Sequence, residues 1–172
     1  MDLWTAIEQR RCVRAFTSVE VSREIVQRIL EAAIRAPSGG NRQPWHFVVV
    51  RNSALKQALQ EAAYGQSFVS EAPVVIVVCA EPERSATRYR DRGRTLYCLQ
   101  DTAAAVEHIL LAATALGLGS CWVGAFDETA AAQALSLTSG LRPVAMVPIG
   151  QAAQTPERTP RRNLAEVSSV LE

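Results

Sequence analysis

Two hydrophobic patterns alternate along the chain, and each predicts a different kind of element. Leu3 and Ile7 lie one helical turn apart and predict a short first helix. Ser22 stands before a stretch in which Ile25, Ile29, Leu30 and Ala33 form one stripe, which predicts a capped second helix stopped at Pro37. HFVVV at 46–50 is rich in β-branched residues and predicts a strand. Ser53 then opens a third helix through Leu55 and Leu59, closed by Gly65. PVVIVVCA at 73–80 has no polar position, the mark of a strand buried on both faces. The charged run ERSATRYRDRGR at 83–94 predicts a surface loop. An alanine-rich helix follows over about 95–116, with Leu99, Ala103, Val106, Ile109, Leu110 and Ala113 turned inward and Gly117 and Gly119 at its end. SCWVG at 120–124 predicts a short strand, Asp127 caps a helix running to about Leu137, and VAMVPIG at 144–150 is the last strand. The sum is an α+β fold: a mixed, largely antiparallel sheet of about four strands flanked by helices.

The segment 151–162, QAAQTPERTPRR, has no apolar period, and Asn163 then opens a short helix with Glu166 in the capping-box position. Such a tail either attaches loosely or crosses another surface, such as that of a second subunit.

At 172 residues the chain is expected to form one domain over 1–172. Glu107 and His108 make the long helix too polar for a membrane span, and the first residues lack a signal-peptide layout. A net charge of +1 argues against a nucleic-acid binder. Cys12, Cys79, Cys98 and Cys121 are scattered without metal-ligand spacing and fit a reducing cytoplasm. The cations are lopsided, with 17 Arg against the single Lys56. That is either composition bias or anion recognition, because a guanidinium grips phosphate with two parallel hydrogen bonds.

Four segments carry candidate chemistry: RRCVRAF at 10–16, APSGGNRQPW at 36–45, GLGSCWVGAF at 117–126 and TPRRNL at 159–164. The glycines at 117 and 119 do not complete a dinucleotide fingerprint, no P-loop or nucleophile elbow is present, and His46 and His108 have no evident partners. Clustered arginines and small-residue loops without an acid, base or nucleophile suit a protein whose bound cofactor performs the chemistry.

In this order and spacing, the four segments resemble the FMN-dependent nitroreductase family. RRCVRAF is similar to its N-terminal Arg-Arg-Ser-Val/Ile-Arg-x-Phe motif, and APSGGNRQPW to its Ala-Pro-Ser-x-x-Asn-x-Gln-Pro-Trp signature. The resemblance implies an intertwined homodimer in which 151–172 extends onto the partner subunit, with one FMN site shared between subunits. It implies that Arg10, Arg11 and Cys12 hold the FMN phosphate, that Arg14 approaches the ring, and that Arg161 and Arg162 close over the phosphate. Pro37, Ser38, Gly39, Asn41 and Gln43 would form the loop against the ring held by the other subunit. Trp122, Val123 and Gly124 would pass near it, and Gln66 would reach it. Cys12 replaces the usual Ser, and a thiol is the poorer donor. The implied activity is hydride transfer from NADH or NADPH through the flavin to a small acceptor, nitroaromatic or quinone. Other flavin chemistry on the same fold and a non-catalytic flavin sensor are the rival readings.

Overall fold

Every residue from Val74 to Ala80 is buried, and the remaining elements are layered around that strand. The computed structural model describes all 172 residues. In chain order the elements are α1 (Leu3–Gln9), α2 (Arg23–Ala33), a single 3-10 turn (Gly39–Asn41), β1 (Trp45–Val50), α3 (Ser53–Ala62), α4 (Phe68–Glu71) and β2 (Val74–Ala80). Then come α5 (Pro82–Arg92), a wide turn (Gly93–Tyr97), α6 (Cys98–Ala115), β3 (Gly119–Ser120), α7 (Glu128–Ala134), β4 (Arg142–Gly150) and α8 (Leu164–Val167).

The sheet order is β1-β2-β4-β3. All three strand pairs are antiparallel, and the parallel component is a bridge between Cys12 and Ser120. β2 is apolar on both faces because both are covered. Val74, Ile76 and Val78 pack under α2 and α6 with Ile29, Val106, Ile109 and Leu110. Val75, Val77 and Cys79 pack on the other side against Leu59, Phe68, Val69 and Met146. Alternate side chains of one strand thus feed two cores.

Several boundaries differ from the sequence expectation. The charged run after β2 forms α5 instead of a loop. Pro82 occupies its first turn, Ser85 and Ala86 are buried, and Arg94 pairs with both Glu83 (2.7 Å) and Asp91 (2.6 Å). Tertiary contacts therefore order a stretch whose polarity hides its helical face. The strand at 120–124 shrinks to Gly119–Ser120, with one further bridge between Val123 and Met146. Its neighbour β4 presents Pro148, which accepts from the Cys121 N–H at a stretched 3.3 Å and has no N–H to return. Asn52, not Ser53, caps α3 by accepting from Leu55 N. On α6 the buried positions include Cys98, Asp101, Thr102 and Ala105, while Leu99 and Ala103 are half-buried. The capping box at Asn163 does not form, since Glu166 pairs instead with Arg162 at 3.3 Å.

Lys56 is buried at 9% exposure, and its Nζ donates to Ser70 O (2.9 Å) and Ala72 O (2.6 Å). It closes the short connection that leads from α4 into β2.

Candidate functional site

The stretch after α1 runs beside β3. Val13 N–H donates to Ser120 O at 2.9 Å, and a Cβ on Gly119 would stand 2.8 Å from Val13 Cγ2. The glycine is needed there for close approach, and the approach fixes residues 10–14 against the sheet. Arg10, Arg11, Cys12 and Arg14 then line a cleft of about 420 Å³ together with Arg158 and Arg161 from the tail. Both ends of the chain therefore build one cationic cavity. Its acids are Glu8 and Glu157, and Glu107 stands 3.6 Å from Arg10 Nε. Nη1 of Arg161 bonds Thr159 O, Thr159 Oγ1 and Pro160 O, which holds the guanidinium in its own turn and leaves Nε and Nη2 free to bind. Arg162 does not line the cleft; it turns to Glu166.

Arg14 extends from the same stretch, with its guanidinium 5.9 Å from the Phe68 ring centre. Next to Phe68, Gln66 Nε2 donates to Ala63 O (2.9 Å) and Ala125 O (3.1 Å). Gln66 thus ties the turn after α3 to the segment carrying Trp122, Val123 and Gly124, and only its Oε1 remains available to a ligand. Cys121 is buried beside Cys12, and burial pushes its thiol up to about 12, so it stays protonated.

The loop Pro37–Gln43 lies elsewhere. Asn41 (φ 54°), Gln43 (φ 50°) and Gly40 (φ 56°) are all left-handed, and only the last is glycine. Two internal bonds offset this strain: Gln43 N–H donates to Ser38 Oγ (2.9 Å), and Gln43 Nε2 to Asn41 O (3.4 Å). Gly39 N–H donates to Asp101 Oδ1 at 3.1 Å. Asp101 and Glu107 are six residues apart on α6, about 9 Å along its axis and about 120° around it, and no residue of the loop lines the arginine cleft. Within one chain, then, the loop and the arginine cleft do not line a common cavity.

Sequence reasoning missed Asp101. It is 7% exposed, its Oδ2 is buried without a partner, and burial raises its carboxyl above the ordinary range. A carboxyl raised in the folded state favours folding fully at low pH, and that contribution is lost as pH rises through its folded value. Asp101→Asn keeps an Oδ1 acceptor for Gly39 and cannot ionise. Its stability relative to the parent should therefore improve as pH rises from about 3.5 to about 8. Urea midpoints at the two pH values check this, and a constant difference would mean that Asp101 is not held in its neutral form.

His108 Nδ1 lies 2.9 Å from Ala32 O, which makes it a packing residue between α6 and α2, and His46 is exposed on β1.

Comparisons with known proteins bear on the fold and the family. The family model described as the nitroreductase family matches residues 7–68 and 61–151. A protein of Archaeoglobus fulgidus, whose name pairs NADH dehydrogenase with NAD(P)H nitroreductase, is 39% identical over 78% of this chain and 74% of its own. The FMN reductase [NAD(P)H] of Bacillus subtilis is 27% identical over 91% of this chain and 68% of its own. The crystal structure of a nitroreductase family protein from Clostridium novyi NT superposes with a TM-score of 0.82 at 33% identity, covering 92% of this chain and 89% of that one. With a family model matched over most of its length and a relative at this identity, the chain belongs to the nitroreductase family.

Proposed function

We propose that the chain is an FMN-dependent NAD(P)H oxidoreductase that works as a homodimer and reduces a small acceptor of the nitroaromatic or quinone class. The observation that carries this reading is the cleft in which Arg10, Arg11, Arg14 and Arg161 converge from opposite ends of a nitroreductase fold. Those residues fit the group. A phosphate dianion matches a cavity whose guanidiniums outnumber its acids, and Arg is the side chain best shaped to grip it. Bound FMN would supply the two-electron chemistry that no side chain here offers.

The chain's own residues then bind and orient. Arg10, Arg11 and Arg161 hold the phosphate, with Cys12 as a weak donor beside them. Arg14 brings positive charge toward the ring, which favours the charge that reduction creates. Ser38, Gly39 and Asn41 are offered to the partner's ring, because their loop does not line the cleft of their own chain. Dimerisation is supported by apolar groups left open in the single chain: Trp4 is 75% exposed and Leu171 97%. The tail 151–172 is exposed along almost its whole length, as a segment crossing a partner would be before assembly.

The purified protein should be yellow, take up one non-covalent FMN per chain, and be bleached anaerobically by NADH or NADPH. Sedimentation should give twice the chain mass. A colourless protein that also refuses added FMN would overturn the reading, and an FMN-loaded monomer would overturn the shared site.

A further inference from the structure

Helix α5 and the turn after it lay an ordered cationic surface over the Gly39–Gly40 backbone. Tyr89 and Tyr97 meet edge to face, with ring centres 4.9 Å apart. A guanidinium lies over each ring: Arg88 at 5.5 Å from the Tyr89 centre and Arg92 at 5.3 Å from the Tyr97 centre. Arg92 Nε also donates to the Tyr97 hydroxyl at 3.1 Å. The stack sits directly on glycine. A Cβ on Gly40 would stand 2.6 Å from Tyr89 Oη and 3.2 Å from Arg88 Nη1, and one on Gly39 would stand 3.4 Å from Tyr97 Cδ2. Arg42 and Arg84 lock loop to helix, each donating Nε to the other's carbonyl, at 3.3 and 2.6 Å.

None of Arg84, Arg88, Arg90 and Arg92 forms an ion pair. Of the nearby acids, Glu83 and Asp91 are both engaged by Arg94, and Asp101, beneath the two rings, is buried with its carboxyl raised toward the neutral form. Solvated cations need no aromatic platform. Here two of them are held by stacked rings, which lowers the entropy lost when they bind an anion. Nitroaromatic and quinone acceptors are commonly neutral and have little use for four cations. The hydride donor has a clear use for them, since it is a dinucleotide whose two halves are joined by an anionic diphosphate.

We propose that Arg88 and Arg92 receive the phosphates of the reduced pyridine dinucleotide while its dihydronicotinamide occupies the flavin cleft. The assignment rests on the function proposed above and adds specificity-determining residues to it. Because the loop under the stack is offered to the partner's flavin, each subunit would receive the donor used at its partner's ring.

The test uses the full-length FMN-loaded dimer and two donors: the reduced dinucleotide, and 1-benzyl-1,4-dihydronicotinamide, which carries no phosphate. Arg88→Ala and Arg92→Ala should each raise KM for the dinucleotide about fivefold, the scale of one exposed guanidinium–phosphate contact. KM for the benzyl donor should move less than about twofold in either variant. Arg88→Lys should recover most of the loss, and added salt should raise the parent's KM for the dinucleotide alone. Arg28→Ala, an exposed arginine on α2 outside this surface, is the control and should change nothing. Equal losses with both donors, or no change with the dinucleotide, would overturn the phosphate assignment. A parent protein that takes no FMN and oxidises neither donor would overturn the proposed function, so the two failures can be told apart.

Discussion

Arg10→Ala and Arg161→Ala should each weaken FMN binding by about one to two powers of ten, although the two residues enter the cleft from opposite ends of the chain. Each would lose a charge-assisted hydrogen bond to the phosphate, worth roughly 1.5–3 kcal/mol. The Arg161 effect should fall at the lower end, because Arg161 is exposed while Arg10 is half-buried. The double variant should lose less than the sum, since both arginines act on one anion. Arg14→Ala should behave differently. Its guanidinium lies over Phe68 at the edge of the cleft, where the ring rather than the phosphate is placed, so its loss should lower the flavin's reduction potential and slow hydride transfer more than it weakens binding. Cys12→Ser should tighten binding slightly or leave it unchanged. Flavin fluorescence titration reads the affinities, and an anaerobic redox titration with single-turnover reduction reads the Arg14→Ala effect. Unchanged affinity in both Arg10→Ala and Arg161→Ala would mean that the phosphate is held elsewhere, even in a protein that binds FMN.

Lys56→Ala should destabilise the fold by about 3 kcal/mol, the scale expected when buried carbonyls lose a charged donor and a cavity is left behind. Ser70 O and Ala72 O would lose their lysine donor just before β2, the strand shared by both cores. Lys56→Met separates the two causes, because it fills the space and removes only the donor; about 2 kcal/mol should remain. Urea unfolding midpoints measure both. A loss below about 1 kcal/mol in Lys56→Ala would show that water replaces the ammonium at no cost.

Lys56 also illustrates where sequence reading ends. As the single lysine among 17 arginines, it stood out only as a count. Nothing local indicated that its ammonium is buried against two carbonyls, because those carbonyls belong to residues more than a dozen positions away. Uniform hydrophobicity, by contrast, was enough to identify β2 as central and doubly covered. The stripe Ile25, Ile29, Leu30 and Ala33 likewise marked a helix whose Ile29 and Ala33 are fully buried. α5 was illegible for the opposite reason: its helical face is built from Ser85, Ala86 and ion pairs, which carry no hydrophobic period. β3 failed on its partner, since Pro148 of β4 ends the ladder from across the sheet. At the site, the arginines were legible as a cluster, and the fold brings Arg10, Arg11, Cys12, Arg14 and Arg161 into one cleft. The loop signature was equally visible, but its anchor Asp101 was not. An aspartate near the start of an alanine-rich helix gives no hint that it faces a backbone N–H 62 residues earlier.

The cleft's dependence on both chain ends has a further consequence for biosynthesis. Arg10 leaves the ribosome early, and Arg161 follows only after nearly all of the intervening fold has been translated. At about 5–20 residues per second, roughly eight to thirty seconds separate the two. The helices and strands up to α7 emerge during that interval, but β4, which feeds both cores, is made only just before Arg161, so sheet and arginine cleft are completed together at the end of synthesis. On the function proposed above, FMN would therefore be taken up after the chain has left the ribosome.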